Sequence, residues 1–505
     1  MLETLKDIFL FDQESPLIFT QLFFWGFFAV VMAIYSVVYK NQAWRNTYLF
    51  FISVFFYYKT SGLFVLLLLI ATLVNFTTGL AIFVVKEKWQ RKSILTFAVV
   101  LNLTVLAYFK YAYFFTESFN AFFHTDYAVF NYFAQWSNTV AGTHFSLDHV
   151  LLPIGLSFYT FQKISYNIDI YRGELKPISN FLDFGFFVFF FPQLVAGPIV
   201  RATLFAPQLQ KEYDLTKQEF GIAVFWILNG LLKKMVISDY LSVNFVDRIF
   251  SNPNAYTGFE SVMACYAYSM QVYCDFSGYT DIAIGLSLLM GFRLTPNFNS
   301  PYKAQSTAEF WQRWHISLST WLRDYLYIPI GGNKKGEVRT NFNLMITMLL
   351  GGLWHGASWN FVIWGGLNGL GLLFYRYWRR ISPFKNDERV PVKIIAILIT
   401  LTFITFTRIF FRADTMQIAF DMMNKIAFDM QWALAPQIVW SYRLVFGVML
   451  IGYAVHWLPT SWKQTYRGWF VDSPVYAKAA VATVAVFIIY QALSSDLQPF
   501  IYFRF

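Results

Sequence analysis

Apolar runs long enough to cross a bilayer recur along this chain, each closed by a short polar or basic break. A membrane-spanning helix needs about 20 predominantly apolar residues. Leu17–Tyr39 meets that need and is followed by Lys40 and Arg45. Thr47–Val85 is apolar over 39 residues. As one straight helix it would rise about 58 Å, nearly twice the hydrocarbon core. It therefore reads as a hairpin, broken near Lys59-Thr60-Ser61-Gly62. Both ends of such a hairpin lie on one side. Lys40 and Arg45 before it, and Lys86, Lys88, Arg91 and Lys92 after it, make that side cytoplasmic by the excess of Lys and Arg in inner loops. The N-terminus then faces outward.

The pattern continues to the end of the chain. Ser93–Phe115 spans outward, Thr116–His149 is a polar outer segment, and Leu151–Tyr171 returns to Arg172 and Lys176. Phe181–Ile199 is apolar but interrupted at Pro192-Gln193 and Gly197-Pro198, with basic residues near both ends. It reads as re-entrant, since broken backbone is tolerated at membrane depth only inside protein or along a cavity. Glu219–Ile237 and Phe259–Phe292 are further spans, and the basic stretch Arg293–Arg339 reads as cytoplasmic or partly re-entrant. Asn341–Trp378 is too long for one crossing and reads as a second hairpin, ending in Arg379-Arg380. Val392–Phe411, Ile438–Leu458 and Val475–Leu493 complete an all-α, polytopic chain of about twelve crossings plus re-entrant segments, with both termini outside. One integral membrane domain is expected over residues 1–505, with no transporter-like repeat and no separate soluble domain.

Composition agrees with this reading. Of 505 residues, 57% are hydrophobic and only 13% charged, against about 25% charged in a soluble domain. The formal net charge of +10 is carried largely in short loops, as membrane orientation requires, and does not call for nucleic acid. Met1–Pro16 is polar and acidic, without the form of a cleavable signal peptide. The two cysteines, Cys265 and Cys274, stand nine apart on one predicted helix and face opposite ways, so they read as buried packing residues rather than a disulfide.

Against this apolar background the ionisable residues stand out. His355 lies in Gly351-Gly352-Leu353-Trp354-His355-Gly356-Ala357-Ser358-Trp359-Asn360, within a predicted span. An ionisable group at membrane depth is costly and is a functional candidate by default. Imidazole also moves protons near neutral pH. The surrounding glycines leave backbone open to a substrate, and Trp354 and Trp359 can wall a pocket. His315, in Trp311-Gln312-Arg313-Trp314-His315-Ile316-Ser317-Leu318, is a second candidate, though Glu309 and Arg313 offer it structural partners. Arg313 stands two residues before His315, and Lys334, Lys335 and Arg339 lie between the histidines, with Arg313 and Arg323 open to structural roles. Asp275 and Asp281 lie inside a span. Six apart, they diverge by about 120° on a helix, so each needs its own partner, and a packing role is the simpler reading. No metal site emerges: His124, His144, His149 and His456 are scattered in or near presumed outer segments. No nucleotide loop and no serine or cysteine elbow is present, so the sequence offers no covalent acyl-enzyme.

Five segments occur in a telling order: Leu152-Pro153-Ile154-Gly155-Leu156-Ser157-Phe158-Tyr159-Thr160-Phe161-Gln162, Phe191 to Ile199, Asp275-Phe276-Ser277-Gly278-Tyr279-Thr280-Asp281, Trp311 to Leu318, and Leu353 to Asn360. On these the chain resembles the membrane-bound O-acyltransferase family, nearest to its bacterial branch of alginate and peptidoglycan O-acetyltransferases. The likeness is strong over residues 151–370 and weaker toward both ends. Cys274 departs from it, where relatives often carry an aromatic residue. The resemblance implies a catalytic core in that stretch with a funnel or tunnel at its centre, His355 as the catalytic histidine and His315 as the second active-site histidine. It implies no permanently bound cofactor, acetyl-CoA as donor at the cytoplasmic mouth with Arg313, Lys334, Lys335 and Arg339 as candidate contacts to its phosphates, and a separate serine-hydrolase-like partner that places acetyl on a polysaccharide outside.

The expected function is therefore a multi-pass acetyltransferase of the bacterial inner or cytoplasmic membrane. It would relay acetyl from cytoplasmic acetyl-CoA to an extracytoplasmic polysaccharide, alginate-like or peptidoglycan. Two alternatives stay open at this point: D-alanyl transfer to teichoic acid within the same family, and a transporter with polar residues lining its path.

Overall fold

A computed structural model describes residues 9–12, 16–141, 150–194, 197–385 and 387–492. The described residues are helical, with no strand among them. They gather into two compact units. One holds Met1–Val195, Ile199–Glu212 and Gly356–Ser358, and the other holds Ala196–Pro198, Tyr213–His355 and Trp359–Phe505. The core expected over 151–370 is thus shared between the two. By length and apolar composition, five described helices can cross a membrane, or six if one bent pair counts as a span.

In the first unit, helix α1 runs Leu22–Val38, α2 Gln42–Ser61, α3 Phe64–Val84, α4 Lys88–Leu106, α5 Leu156–Arg172 and α6 Phe181–Phe189. The predicted hairpin is α2 and α3. It breaks at Gly62, whose φ of 60° lies in the left-handed region that favours glycine. Asn41 starts α2, its Oδ1 accepting from the Trp44 amide at 3.1 Å. Hydrophobic driving force between helices is weak in lipid, so polar contacts help hold them together. Asn75 of α3 is such a contact: its Oδ1 accepts from Asn102 of α4 at 2.9 Å and from Asn167 of α5 at 2.8 Å. The interrupted Phe181–Ile199 run forms α6 and a short turn of helix at Phe191–Leu194, with Phe184 and Phe186–Phe191 fully buried. Beyond Phe115 the helical course continues to Phe123, and another helix covers Tyr132–Ala141, so the described part of the expected polar outer segment is largely helical. His144 and His149 lie outside the described residues.

In the second unit, α7 (Lys217–Leu231) begins at a capping box between Thr216 and Glu219 and passes into a wide π-turn, Leu232–Ser238. Helix α8 (Gly258–Leu289) is one 32-residue rod, buried over most of its length, carrying both cysteines as buried free thiols. Asp275 and Asp281 each find a lysine. Lys234 reaches Asp275 at 2.6 Å and Lys233 reaches Asp281 at 2.7 Å. Consecutive lysines on one wide turn splay much as the two carboxylates do on α8, so each acid has its own cation. These acids tie α7 and its π-turn to α8, which is the packing role expected.

Next come α9 (Thr307–Arg313), α10 (Ile316–Leu322), α11 (Glu337–His355), α12 (Trp359–Ile381) and α13 (Val390–Arg412). Helices α11 and α12 are the second predicted hairpin. Their backbones meet at Gly352 and Gly365, where a Cβ on Gly365 would lie 3.1 Å from Gly352 Cα. The predicted Ile438–Leu458 span is not straight. Helix Trp432–Ser441 meets α14 (Arg443–Trp457) at an 86° bend. Helix α15 (Thr460–Asp472) was not foreseen, and α16 (Val475–Ala492) follows. His456, read as an outer-segment histidine, is instead buried in α14, its Nε2 accepting from the Tyr302 amide at 3.1 Å.

Candidate active site

His355 is the last residue of the 19-residue helix α11, and only 3% of its surface is exposed. The predicted hairpin starts at Asn341, fourteen residues before His355. The structure carries it to the end of the first arm, a rise of about 27 Å from Glu337. Three rings stand edge-on to its imidazole: Trp354 at 5.0 Å, Trp364 at 5.1 Å and Phe411 at 5.2 Å. This aromatic sleeve fixes the ring and keeps bulk water from it.

His315 lies in the same aromatic setting, fully buried, its ring centroid 6.2 Å from that of His355. Phe276 of α8 packs edge-on to it at 4.6 Å. Its backbone sits at φ 44°, a left-handed position uncommon for a residue other than glycine. Asn297 holds that turn: its carbonyl accepts from the Ile316 amide at 3.0 Å, and its Oδ1 accepts from the Ser317 amide at 3.0 Å and hydroxyl at 2.9 Å. A strained conformation fixed from outside in this way is common at functional sites.

An apolar cavity of about 220 Å³ extends from His355 along α11 past Gly351, Met348 and Leu344 to Arg323 and Tyr327. Trp311 also lines it. The indole Nε1 of Trp311 is buried and has no hydrogen-bond acceptor among the described residues. A buried donor of this kind normally has a partner.

A second, very small cavity is shared by His355, Trp364, Phe411 and Arg408. Arg408 of α13 is 4% exposed. Its guanidinium lies 4.4 Å from the Trp314 ring centroid and donates to the Tyr302 hydroxyl at 2.6 Å. Among the described residues no carboxylate pairs with it. A buried guanidinium held by aromatic faces and one hydroxyl keeps its charge available to whatever enters beside it.

His315, Arg408 and Trp311 thus stand around His355 in one aromatic setting, and residues 51–413 match the sequence pattern of a family of membrane acyl-transfer enzymes. The chain belongs to the membrane-bound O-acyltransferase family. It is an O-acyltransferase, as its motifs implied, and the transporter alternative falls. The acyltransferase is 39% identical over 422 residues to the probable alginate O-acetylase AlgI of Pseudomonas syringae pv. tomato, covering 82% of this chain and 76% of that one. It is 35% identical over 434 residues to the peptidoglycan O-acetyltransferase of Helicobacter pylori, covering 80% and 78%. The teichoic acid D-alanyltransferase of Bacillus subtilis is more distant, at 30% identity over 281 residues, 52% of this chain and 69% of that one.

The acyltransferase's basic candidates Arg313, Lys334, Lys335 and Arg339 do not line either cavity at His355. Arg313 donates from Nε to Glu309 at 2.8 Å and from a terminal nitrogen to the Asn299 carbonyl at 3.0 Å. Lys334 and Lys335 are exposed in the turn before α11. Arg339 is exposed on the first turns of α11, over the ring of Phe342. Arg323, paired with Asp324 at 2.7 Å, is the basic residue on the wall of the His355 cavity. Sequence reasoning missed Arg408. Its signal was present: one arginine within the apolar run Val392–Phe411.

Proposed function

We propose that this protein is an acetyl-CoA-dependent O-acetyltransferase that passes acetyl from the cytoplasm to an extracytoplasmic polysaccharide. The observation that carries the reading is the pairing of His355 with an apolar cavity leading to it from the Arg323 end. The apolar walls suit the thin arm of a thioester donor. Lys334, Lys335 and Arg339, with Arg313, are assigned to the donor's phosphates. The greater likeness to acetyl-transferring relatives favours acetyl over D-alanyl as the group moved.

In the reaction, His355 takes the proton of the attacking hydroxyl. The hydroxyl oxygen bonds to the thioester carbonyl carbon, and negative charge gathers on the carbonyl oxygen. Arg408 and Trp311 Nε1 are the fixed positive and donor groups assigned to that oxygen, and such groups act most strongly where water is excluded. The carbon–sulfur bond then breaks, and the imidazolium returns its proton to the leaving thiolate. His315 orients the reacting groups from the opposite side.

The same reading gives the protein about twelve crossings of the bacterial cytoplasmic membrane, a central funnel, and Lys86–Lys92 and Arg376–Lys385 on the cytoplasmic face. The acceptor hydroxyl belongs to a serine-hydrolase-like partner outside, which completes transfer to the glycan. The test is reconstitution in vesicles with labelled acetyl-CoA on the side of the Lys86–Lys92 loop and partner or oligosaccharide on the other. Label on the acceptor without CoA crossing is the expected result. Transfer from D-alanyl carrier protein in place of acetyl-CoA would replace this reading with D-alanylation.

A further inference from the structure

A third cavity, of about 280 Å³, lies in the unit that holds His315 and His355 but takes part of its wall from residues beyond 413, where the family match ends. Helix α15 forms one side. Thr460, Lys463, Gln464 and Arg467 line the cavity, a spacing that places them on one helical face. Trp462 and Trp469 are strongly exposed on the opposite face. A short helix with exposed tryptophans on one face and basic residues on the other suits the membrane–water interface.

The charge inside is unbalanced. Lys233 and Lys463 both line the cavity, Lys303 lies close to Lys463, and Arg467 makes no ion pair among the described residues. Asp281 is the carboxylate on the wall, and Lys233 holds it at 2.7 Å. Lys463 and Lys303 are otherwise held by neutral oxygens. Lys463 donates to the Ser300 hydroxyl at 3.1 Å and the His456 carbonyl at 2.7 Å, and Lys303 to the Leu458 carbonyl at 2.6 Å. Burial, with repulsion from Lys303 and Lys233, pulls the Lys463 ammonium down to about 8. On the far wall Asn297 is 1% exposed, and its Nδ2 has no acceptor among the described residues. Converging cations and an idle buried donor define a place for oxygen acceptors that carry negative charge.

We propose that this cavity is a binding site for a phosphate-bearing ligand, held by Lys463, Arg467 and Lys233 with Asn297 Nδ2 donating to a phosphate oxygen. Two sources share that chemistry: an anionic lipid headgroup, reached from the α15 side, and the phosphates of a nucleotide bound apart from the donor site assigned to the turn before α11. The same Asn297 holds the turn of His315 through its other amide atom, so occupancy of the cavity bears on the active site. The site stands whether or not acetyl-CoA is the donor.

The test uses the full chain purified in neutral detergent, with two probes titrated separately. They are adenosine 3′,5′-bisphosphate, which lacks the thioester arm, and mixed micelles containing phosphatidylglycerol. Binding is read by equilibrium retention of labelled probe for the wild type, K463Q/R467Q, and R443Q as an exposed control on α14. The expected result is that one probe binds the wild type and R443Q alike and binds the double variant at least tenfold more weakly. Loss confined to the lipid identifies a headgroup site, and loss confined to the bisphosphate identifies a nucleotide site. If the double variant elutes as aggregate, R467Q alone is read, with an expected loss of at least threefold. Equal affinity in folded variants and wild type, or no binding of either probe to the wild type, overturns the proposal.

Discussion

The imidazoles of His315 and His355 stand 6.2 Å apart, centroid to centroid, with their planes tilted by 58°. One is held in a left-handed turn by Asn297, and the other ends a long helix inside an aromatic sleeve. This gives the two rings different tasks. His355 opens onto the apolar cavity, and His315 is not among the residues that line it. His315→Asn keeps a residue that tolerates the left-handed backbone. It is expected to fold, to retain affinity for acetyl-CoA within a few-fold, and to lose about 10²-fold in kcat, the cost of misplacing the reacting groups by about 1 Å. Steady-state kinetics on the detergent-purified variant checks this, and an unchanged kcat would remove His315 from the chemistry.

Arg408 is predicted to act in the transition state more than in binding. Arg408→Met should lower kcat by about 10²–10³-fold, the usual cost of losing one oxyanion-stabilising group, with the Michaelis constant nearly unchanged. Arg408→Lys should recover part of the loss, because it keeps the charge but not the planar contact with Trp314. A purely structural role would instead lower the thermal midpoint of both variants with kcat intact in the protein that remains folded.

The α11–α12 hairpin makes a stability prediction independent of activity. A Cβ at Gly365 would press on Gly352 Cα at 3.1 Å, whereas one at Gly447 meets nothing within 4 Å. Gly365→Ala should be destabilised by about 1–3 kcal/mol through overpacking. Gly447→Ala should be neutral. Thermal unfolding of both in one detergent checks this, and equal midpoints would contradict the packing described.

Much of this arrangement was legible in the chain, and the exceptions have physical causes. The break at Gly62 followed from a length no single helix can use, and the hairpin before Trp359 from the same argument. His355 stood out because a titratable group in an apolar run has few neutral explanations. The lysine partners of Asp275 and Asp281 were invisible, because a π-turn in a distant segment places Lys233 and Lys234 to meet them. Arg408 was hidden because one charge barely alters the apolar character of a 23-residue helix. Its meaning depends on Trp314 and Tyr302, which only folding brings near. The 86° bend before α14 was missed because an apolar run does not reveal its direction.

The basic turn before α11 is predicted to serve the donor. Lys334→Glu with Lys335→Glu should raise the apparent Michaelis constant for acetyl-CoA at low salt and leave kcat nearly unchanged. Because both residues are exposed, the effect should shrink as salt rises. A constant unchanged at low salt would move the donor phosphates to other residues.

The central claim is that His355 is the base of an acyl-transfer reaction. Its most direct test is transfer of labelled acetyl from acetyl-CoA by purified His355→Ala, compared with wild type at equal amounts of monodisperse protein. The account predicts a loss of about 10²–10⁴-fold in rate, with the thermal midpoint and elution volume retained. Wild-type-like transfer by stably folded His355→Ala would contradict it.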